Sequence, residues 1–353
     1  MTAIALGSYL IGPESPPFIV AEMSGNHNGS LDRALQLVDA AKLAGAHAIK
    51  LQTYTADTMT LNIRDGEFLI TDPDSLWFGK SLYELYQEAS TPWEWHASIF
   101  QRCRERALLF FSTPFDSSAV DFLETFDAPC YKIASLEITD HPLIRKAAST
   151  GKPLILSTGG ATLDEIKEAV AVARGAGCHQ LILLKCTSAY PAPPESAHLK
   201  TIPNLAESFG TLVGISDHTP GIGVAIASVA LGACFIEKHF TLSRSDGGVD
   251  SAFSLEPDEL KALAVESERA WKALGQVRYG PTKAELGTLK FRRSLYFTQN
   301  LSAGAVITAD NIRNIRPGSG LPPKEYERLI GLTVKKDVKR GEPVRWESVV
   351  STL

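Results

Sequence analysis

The sequence predicts an α/β fold in which a (β/α)8 TIM barrel is followed by a small C-terminal domain. Eight short apolar runs alternate with helical patterns between Phe18 and Leu274, and nearly every run begins apolar and ends polar. That polarity is typical of barrel strands, whose carboxyl ends form the active-site face. A chain of 353 residues would hold a barrel of about 250 residues and one further small domain.

Each of the eight runs is rich in β-branched or aromatic residues, as strands are. They span residues 18–24, 46–52, 108–114, 130–135, 153–159, 181–188, 212–219 and 234–241. The clearest helical patterns lie at residues 30–44, 92–106, 163–174 and 257–274, and Ser30 and Thr162 offer N-cap side chains at two helix starts. Eight alternations favour a closed barrel over an open sheet of five or six strands.

The pattern changes after Leu274, which predicts a domain boundary. We expect a catalytic barrel over residues 1–277, a polar linker with Gly and Pro over 278–293, and a small domain over 294–353. Its β-like runs are at residues 294–298 and 333–338. About 60 residues make a marginal independent core, so we expect this domain to dock against the barrel of a partner subunit.

Composition and charge exclude several classes of protein. With 44% hydrophobic and 21% charged residues and a net charge of −5, the chain is ordinary for a globular protein and has no basic field for nucleic acid. The five cysteines form no C-x-x-C pair, and we expect them to be reduced in a cytoplasmic protein. Neither a secretion signal nor a run of 18 apolar residues occurs, so no membrane association is expected.

Two histidines, His218 and His239, each close an apolar run, one βα unit apart. If these runs are neighbouring parallel strands, the two imidazoles lie side by side at the active-site rim. Imidazole is the commonest protein ligand for metals. The pair therefore predicts a divalent metal site.

Lysines and hydroxyl groups at the same rim predict a phosphate site. The set comprises Lys50 and Lys132, with Lys185 as a third candidate lysine, and the hydroxyl residues Thr113, Ser135, Ser157 and Ser216. Ammonium and hydroxyl donors suit a dianionic phosphate, and because no P-loop occurs the phosphate would belong to a substrate. The competing interpretation is that Lys50 or Lys132 forms a Schiff base, which requires a pocket that keeps the amine neutral.

Glu22 ends the first predicted strand and is a candidate acid or base, with a helix cap or a buried lysine partner as the alternative. His27 follows in a loop rich in Gly and Asn and gives a weaker signal. The remaining histidines suit surface or helix-capping roles. They are His47, His96, His141, His179 and His198.

Several motifs together resemble the N-acetylneuraminic acid synthase family over nearly the whole chain. In the barrel they are Ala21-Glu22-x-x-x-Asn26-His27-Asn28-Gly29, Lys50-Leu51-Gln52, Ser112-Thr113-Pro114-Phe115-Asp116, Tyr131-Lys132-Ile133-Ala134-Ser135-x-Glu137, Leu156-Ser157-Thr158-Gly159, Ser216-Asp217-His218-Thr219 and Glu237-Lys238-His239-Phe240. In the small domain, Asn314-Ile315-Arg316-Pro317-Gly318-Ser319-Gly320 resembles the family's antifreeze-protein-like (SAF, β-clip) module.

The resemblance implies an enzyme that condenses phosphoenolpyruvate with an open-chain amino-sugar aldehyde. The products are a nine-carbon 2-keto acid and phosphate, formed with cleavage of a C–O bond. It also implies a divalent metal, with Mn2+ the expected ion and Mg2+ or Co2+ as alternatives. A homodimer is implied as well, in which each small domain covers the barrel of the other subunit.

The resemblance also implies roles for the residues of this chain that stand at the family's site positions. His218 and His239 would hold the metal, and Glu22 would assist water addition or breakdown of the tetrahedral intermediate. The phosphoenolpyruvate would be surrounded by Lys50, Thr113, Lys132, Ser135, Ser157 and Ser216. The sugar would face Gln52, Glu137, Tyr190 and Asp250, with Arg316 reaching in from the neighbouring subunit.

Other segments depart from the neuraminic acid synthases and resemble the branch of the family that makes pseudaminic acid. They include residues 23–25, 81–86, 91–96, 135–140 and 243–253. The substrate of that branch, 2,4-diacetamido-2,4,6-trideoxy-L-altrose, carries a methyl group in place of a hydroxyl. Leu136 and Ile138 accordingly suggest a less polar sugar pocket. Synthases of N-acetylneuraminic or legionaminic acid are the alternatives.

Two more distant interpretations remain open at this point. A metal-dependent barrel aldolase or sugar-phosphate isomerase would share the fold, the histidines and the lysines but would not consume phosphoenolpyruvate. A non-catalytic carbohydrate-binding or ice-binding protein is suggested only by the small domain. Its charged residues disfavour the flat, mostly uncharged surface that ice binding needs: Lys335, Lys336, Lys339, Arg340 and Glu342.

Overall fold

The structure is a computed structural model that describes residues 2–350 and divides into two compact units between Gly275 and Gln276. The outermost ends of the two predicted domains, residue 1 and residues 351–353, lie outside the described residues.

The first unit contains a closed barrel of eight parallel strands. They are β3 (Phe18–Glu22), β4 (Ala48–Thr53), β5 (Leu109–Pro114), β6 (Tyr131–Ile133), β7 (Leu154–Ser157), β8 (Leu181–Cys186), β9 (Leu212–Ser216) and β10 (Phe235–His239). Neighbours in sequence are neighbours in space, and β10 closes the barrel against β3. All eight predicted strands are confirmed, with bounds that differ by a few residues.

A short antiparallel hairpin precedes the barrel and was not predicted. It is formed by β1 (Ile4–Leu6) and β2 (Tyr9–Ile11). Its residues Ile4, Leu6 and Ile11 pack in one buried cluster with residues from the amino-terminal halves of barrel strands, such as Phe18 and Phe235. The hairpin therefore closes the barrel at the end opposite to the polar strand ends.

Strand residues alternate between the barrel interior and the surrounding helices, as the period of two in a strand requires. On β8, for example, Ile182 and Leu184 belong to the interior cluster, whereas Leu181 and Leu183 pack in the cluster shared with the helices. The same alternation on β10 places Phe235 inside and Ile236 outside. The polar residues that follow at the strand ends continue this pattern.

Helices surround the barrel and lie between its strands. They are α1 (Leu31–Leu43), α2 (Ala56–Met59), α3 (Leu82–Ala89), α4 (His96–Glu105), α5 (Ser117–Glu124), α6 (His141–Ala148), α7 (Leu163–Gly175), α8 (Thr201–Phe209), α9 (Gly223–Val229) and α10 (Pro257–Leu274). Ser30 caps α1, and Thr162 with Glu165 forms a capping box at α7, as predicted. No helix within residues 2–350 is long and apolar enough to cross a membrane.

The second unit has its own small core. It contains β11 (Ser294–Phe297) paired with β12 (Ile312–Ile315), β13 (Thr333–Val334) paired with β14 (Val349–Val350), and α11 (Tyr326–Leu329). Buried residues such as Leu295, Phe297 and Leu329 pack together at its centre. A 3-10 helix over Leu286–Phe291 lies in the segment for which we predicted only a linker.

Candidate active site

The register of the barrel strands gathers the predicted rim residues at one end. Glu22 on β3 lies opposite Lys50 on β4 and opposite His239 on β10. Ser216 on β9 pairs with Glu237 on β10. These pairings follow from consecutive parallel strands, so residues distant in sequence become neighbours at the carboxyl ends.

Two lysines and two glutamates form a buried cluster at this rim. The side chains of Glu22, Lys50, Lys132 and Glu237 are each at most 4% exposed. Lys50 Nζ lies 2.5 Å from Glu22 Oε2 and 3.8 Å from Glu237 Oε1, and Lys132 Nζ lies 3.3 Å from Glu237 Oε1. Each charge is compensated, which a buried ion requires. Among residues 2–350, Lys132 has only this one longer ion pair, so it retains donors for a ligand.

Burial and the opposite charges nearby together determine the pKa values in this cluster. It raises the pKa of Glu22, against the opposing effect of Lys50, which favours a carboxyl group that can exchange a proton. Burial likewise lowers the pKa of Lys132, with Glu237 opposing. The pKa of Glu237 is lowered because Lys132 and Lys50 outweigh the effect of its burial. Glu237 is thus an ionised acceptor for both lysines.

Four hydroxyl groups line the same cavity, which has a volume of about 50 Å3. Thr113 accepts a hydrogen bond from Lys50 Nζ at 3.1 Å, Ser216 donates to Glu237 at 3.0 Å, and Ser135 accepts from the amide of Gly159 at 3.0 Å. The hydroxyl of Ser157 is buried and has no hydrogen-bond partner in the described chain. A buried orphan hydroxyl beside two ammonium groups suits a phosphate oxygen.

A glycine makes the close packing at this cavity possible. A Cβ at Gly159 would lie 2.8 Å from Ser135 Oγ and 2.4 Å from Ser188 Oγ, closer than real Cβ atoms approach such neighbours. Gly159 lies two residues after the end of β7, and its amide donates to Ser135 at a distance that leaves no room for a side chain. Gly159 ends the motif Leu156-Ser157-Thr158-Gly159, and this close packing explains why a glycine is needed at that position.

His218 and His239 are close together, with ring centroids 5.2 Å apart. His218 Nδ1 lies 2.9 Å from the carbonyl oxygen of Thr187, so this nitrogen donates its proton there and Nε2 is left as the free lone pair. His239 Nδ1 is buried and makes no hydrogen bond with any described residue. Burial lowers the pKa of His239 well below its ordinary value, which favours the neutral ligand form.

These features fit a metal bound by two imidazoles. No cluster of three or more His, Cys, Asp or Glu side chains that could hold an ion occurs within residues 2–350. An ion at the pair would therefore keep several positions open for water or substrate, as catalytic metals do. Asp250 Oδ2, 3.8 Å from His239 Nδ1, is the nearest additional carboxylate to this pair among the ion pairs of the site.

A second cavity of about 380 Å3 adjoins the first, and the two share residues including Gln52, Ser135, Tyr190 and His239. Glu137 and Asp250 line the larger cavity only. Burial raises the pKa values of both carboxyl groups, and Ser24 donates a short hydrogen bond to Asp250. The structure thus brings together the four barrel residues for which we predicted contact with the sugar.

Tyr190 packs against the histidine pair and lines both cavities. Its ring centroid is 4.4 Å from that of His218 and 5.3 Å from that of Phe253. Arg316 belongs to the second unit, where it lines a surface cavity with Arg292 and Arg293. Its predicted contact with the sugar of a partner subunit stays a prediction.

Two expectations from the sequence are wrong. Lys185 does not join the phosphate cavity, because alternation on β8 turns it outward, where Nζ donates to the carbonyl oxygen of Cys186. Ile138 is buried in the core shared with the helices and does not line the sugar cavity, although Leu136 does. His96 is the C-cap residue of the short 3-10 helix Trp93–Trp95, as a capping role predicts, but its side chain is buried, with Nε2 2.9 Å from Thr53 Oγ1.

Two residues at the site had no assigned role in the sequence analysis. Glu237 joins both lysines, and Cys186, expected to be a small buried hydrophobe, lines the smaller cavity with Sγ 3.9 Å from His218 Nδ1. Burial raises the pKa of the Cys186 thiol, but hydrogen bonds to His218 and Ser135 and the positive charges nearby together lower it to about 7. All five cysteines are free and buried, as expected. The position of Glu237 near the carboxyl end of a predicted strand indicates that it is at the rim but not which charged side chains it contacts.

The barrel with its buried lysines, open histidine pair and two joined cavities defines a phosphate-handling enzyme that acts on a second, larger substrate. Comparison with known proteins agrees with this class. Residues 37–279 match the NeuB family and residues 292–350 match the SAF domain. The chain belongs to the NeuB family and is a phosphoenolpyruvate-dependent condensing synthase of the sialic acid synthase type.

Relatives in this family have closely similar sequences. A pseudaminic acid synthase of Campylobacter jejuni is 43% identical over 328 residues, 93% of this chain and 95% of its own length. An N,N'-diacetyllegionaminic acid synthase of the same strain is 35% identical over 331 residues, 93% of this chain and 98% of that protein. The solved N-acetylneuraminic acid synthetase of Leptospira borgpetersenii aligns with a TM-score of 0.72 at 35% identity, covering 82% of this chain and 96% of that one.

Proposed function

We propose that the protein condenses phosphoenolpyruvate with 2,4-diacetamido-2,4,6-trideoxy-L-altrose to give pseudaminic acid and inorganic phosphate. The observation that carries this proposal is the pair of joined cavities. The smaller one offers two ammonium groups and an unpaired hydroxyl to a phosphate, and the larger one has room for an amino sugar. The greater similarity to pseudaminic acid synthases than to the legionaminic acid synthase supports the choice of sugar.

The reaction forms one carbon–carbon bond and breaks one carbon–oxygen bond. C3 of phosphoenolpyruvate attacks the aldehyde carbon of the sugar, whose oxygen takes a proton. Water adds to C2, and loss of phosphate with the bridging oxygen leaves the 2-keto acid. Lys50 and Lys132 would hold the phosphate, and their charge stabilises it as it leaves.

Glu22 is the residue that we assign to the water step. Attack by C3 leaves positive character at C2, which a nearby carboxylate stabilises. The raised pKa of Glu22 then allows it to take a proton from the attacking water, and its partner Lys50 keeps it oriented toward the cavity. Glu22→Gln should therefore lower kcat much more than it changes the KM for phosphoenolpyruvate.

His218 and His239 would hold a divalent metal, with Mn2+ the expected ion and Mg2+ or Co2+ as alternatives. When bound, the ion supplies Lewis-acid polarisation of the aldehyde oxygen. Treatment with a chelator should abolish phosphate release, and Mn2+ should restore it. A His218→Ala variant that keeps full activity and full Mn2+ affinity would contradict this assignment.

Two further parts of the proposal concern the assembly and its location. We expect a homodimer in which Arg316 of each subunit reaches the sugar bound in the barrel of the other. We also expect the enzyme to work in the cytoplasm, where phosphoenolpyruvate is available, on small-molecule substrates and without nucleic acid.

The decisive experiment measures phosphate release from phosphoenolpyruvate with purified protein, Mn2+ and one of three sugars. The altrose derivative should be used well, and the legionaminic acid precursor and N-acetylmannosamine much less. Equal or inverted rates would change the sugar assignment within the family. Conversion of a sugar without consumption of phosphoenolpyruvate would instead indicate an aldolase or isomerase.

A further inference from the structure

One side of the larger cavity is an apolar and aromatic surface. It is built from Ile70, Trp77, Leu82, Leu85, Tyr86 and Val249, which we call the apolar wall. None of these residues lines the smaller cavity with the lysines and histidines. The wall therefore belongs to the part of the site that lies beyond the reacting atoms.

The segment between β4 and β5 supplies most of the wall and is held firmly. Backbone hydrogen bonds join Ile70 to Lys80 and Gly79 to Ile70, each at 2.9 Å. Ser81 and Glu84 then form a capping box that starts α3, the helix that carries Leu82, Leu85 and Tyr86. The wall is thus part of the folded barrel unit rather than a loose loop.

Two contacts tie this segment to the loop after β10. Trp77 Nε1 donates to the carbonyl oxygen of Val249 at 2.9 Å, and Leu85 and Ala89 pack against Val249 in a separate buried cluster. Gly25 lies against this cluster, since a Cβ there would be 2.3 Å from Val249 Cγ2. Because Val249 precedes Asp250, the apolar wall and a polar sugar contact are fixed to each other.

The position of the wall determines which part of a sugar can touch it. The aldehyde carbon must reach the smaller cavity, and both cavities meet at Gln52, Ser135, Tyr190 and His239. The rest of the open chain must then extend into the larger cavity. Its hydroxyl groups can reach Glu137 and Asp250, which leaves its apolar groups for the wall.

We propose that the apolar wall is the specificity surface of this enzyme, which binds methyl groups of the sugar and so selects a 6-deoxy diacetamido sugar over N-acetylmannosamine. This inference rests on the proposed function. Each methyl group placed there leaves water, whereas the C6 hydroxyl of N-acetylmannosamine would have to give up hydrogen bonds to water against apolar side chains. The second acetamido group adds another methyl group that the wall can cover.

Polar substitutions in the wall test this inference. Leu85→Asn and, independently, Leu82→Gln should lower kcat/KM for the altrose derivative by about 10-fold or more, mainly through KM. The loss for N-acetylmannosamine should be much smaller, so the ratio of the two kcat/KM values should fall by about the same factor. The KM for phosphoenolpyruvate should stay as in the unaltered protein, because neither residue lines the smaller cavity.

Controls separate specificity from folding. Leu82 is only half-buried at the start of α3, so Leu82→Gln keeps the test available if Leu85→Asn does not fold. Leu43→Gln, at a leucine that is 83% exposed on α1, should change neither the ratio of the two kcat/KM values nor the KM for phosphoenolpyruvate. Thermal unfolding of each variant identifies a loss of activity that comes from loss of structure.

Each outcome has one meaning. Equal losses with both sugars in a folded variant, or no loss with either, would overturn the role of the wall. If the unaltered protein released no phosphate with the altrose derivative, the proposed function itself would be wrong. The two failures are therefore distinguished by the unaltered protein alone.

Discussion

Lys238 Nζ lies 2.9 Å from Asp217 Oδ2 and 2.6 Å from the carbonyl oxygen of Thr219. One buried ammonium group thus holds both neighbours of His218, and it comes from the residue that precedes His239. Asp217 also accepts a hydrogen bond from the amide of Thr219 at 2.9 Å. The relative position of the two histidines is therefore fixed from outside the barrel, by side chains that never reach the substrates.

Removing this ammonium group should weaken metal binding as well as the fold. Lys238→Met leaves Asp217 as an uncompensated buried charge, which costs about 3–5 kcal/mol of unfolding free energy. The loss of the support around His218 should raise the Kd for Mn2+ about 10-fold, measured by calorimetry without substrates. Urea unfolding gives the stability.

Two further variants complete that experiment. In the double variant Lys238→Met with Asp217→Asn, part of the stability should return, because no buried charge is left, but the Mn2+ affinity should stay low. Lys272→Met, at a surface lysine that pairs with Glu268, should change neither quantity. Unchanged Mn2+ affinity in folded Lys238→Met would show that His218 needs no such support.

Ser157→Ala should weaken phosphoenolpyruvate binding without harming the fold. The Ser157 hydroxyl has no hydrogen-bond partner in residues 2–350, so its removal leaves no other polar group unsatisfied. The free energy of unfolding should therefore be equal or slightly higher. A lost hydrogen bond to a charged phosphate should raise the KM for phosphoenolpyruvate about 10-fold or more. Steady-state kinetics measures the effect.

Ser267 provides a matched control for that substitution. Its hydroxyl is also buried and lacks a partner among the described residues, but it lies on α10, away from both cavities. Ser267→Ala should resemble Ser157→Ala in stability and leave KM unchanged. Identical kinetics in the two variants would exclude Ser157 from the phosphate site.

Mixed dimers test whether Arg316 acts across subunits. Arg316→Ala and His239→Ala should each be inactive alone. If Arg316 serves the partner's barrel, a mixed dimer contains one intact site, and random mixing should restore about a quarter of full activity. If Arg316 serves its own barrel, the mixed population should stay inactive, and coexpression followed by phosphate-release assays decides between the two.

Two buried histidines should make the protein less stable in mild acid. Burial lowers the pKa values of His27 and His96 to about 4, below the ordinary 6.5. The unfolded chain takes up these protons at higher pH than the folded one, so their stabilisation is complete above pH 6.5 and is lost as the pH falls toward 4. Each should contribute a slope of about 1.4 kcal/mol per pH unit between these values.

The variant His96→Asn isolates one of these contributions. It should be less stable than the unaltered protein at pH 7.5, because the ring packs against Phe100 and Phe122. Its free energy of unfolding, measured by urea titration between pH 7 and 4.5, should fall less steeply with decreasing pH than that of the unaltered protein. The two slopes should differ by about 1.4 kcal/mol per pH unit, the contribution of one histidine. Parallel curves for the two proteins would mean that the pKa of His96 is the same in the folded and unfolded states.

The barrel and its rim could be predicted because each strand carries its own signal. Eight apolar runs ending in polar residues determine both the fold and the face where Glu22 and His218 lie. The hairpin at Ile4–Leu6 and Tyr9–Ile11 carries no such signal, because three-residue strands are too short to show a period. In the C-terminal unit, β11 and β13 begin within the two predicted β-like runs, whereas β12 and the two-residue β14 were not predicted.

The partners of charged residues could not be predicted from local sequence. Lys132 and Glu237 are 105 positions apart and meet only because β6 and β10 face each other across the barrel. Lys185, in contrast, could have been excluded, since it alternates with the apolar interior residues Leu184 and Cys186. The apolar wall depends on how the long segment after β4 folds back, which no periodicity reveals.

Strand β10 divides two tasks between alternate residues, with Glu237 and His239 facing the cavity and Lys238 facing outward between them. Inserting or deleting a single residue here would exchange the two faces of the strand. The Lys238 ammonium group would then point into the cavity, and Glu237 and His239 would point away from it. Evolution can vary the length of the loop that follows, but not that of this strand. Family members should therefore show length variation after Thr241 and none between Phe235 and His239, which an alignment of homologues can test.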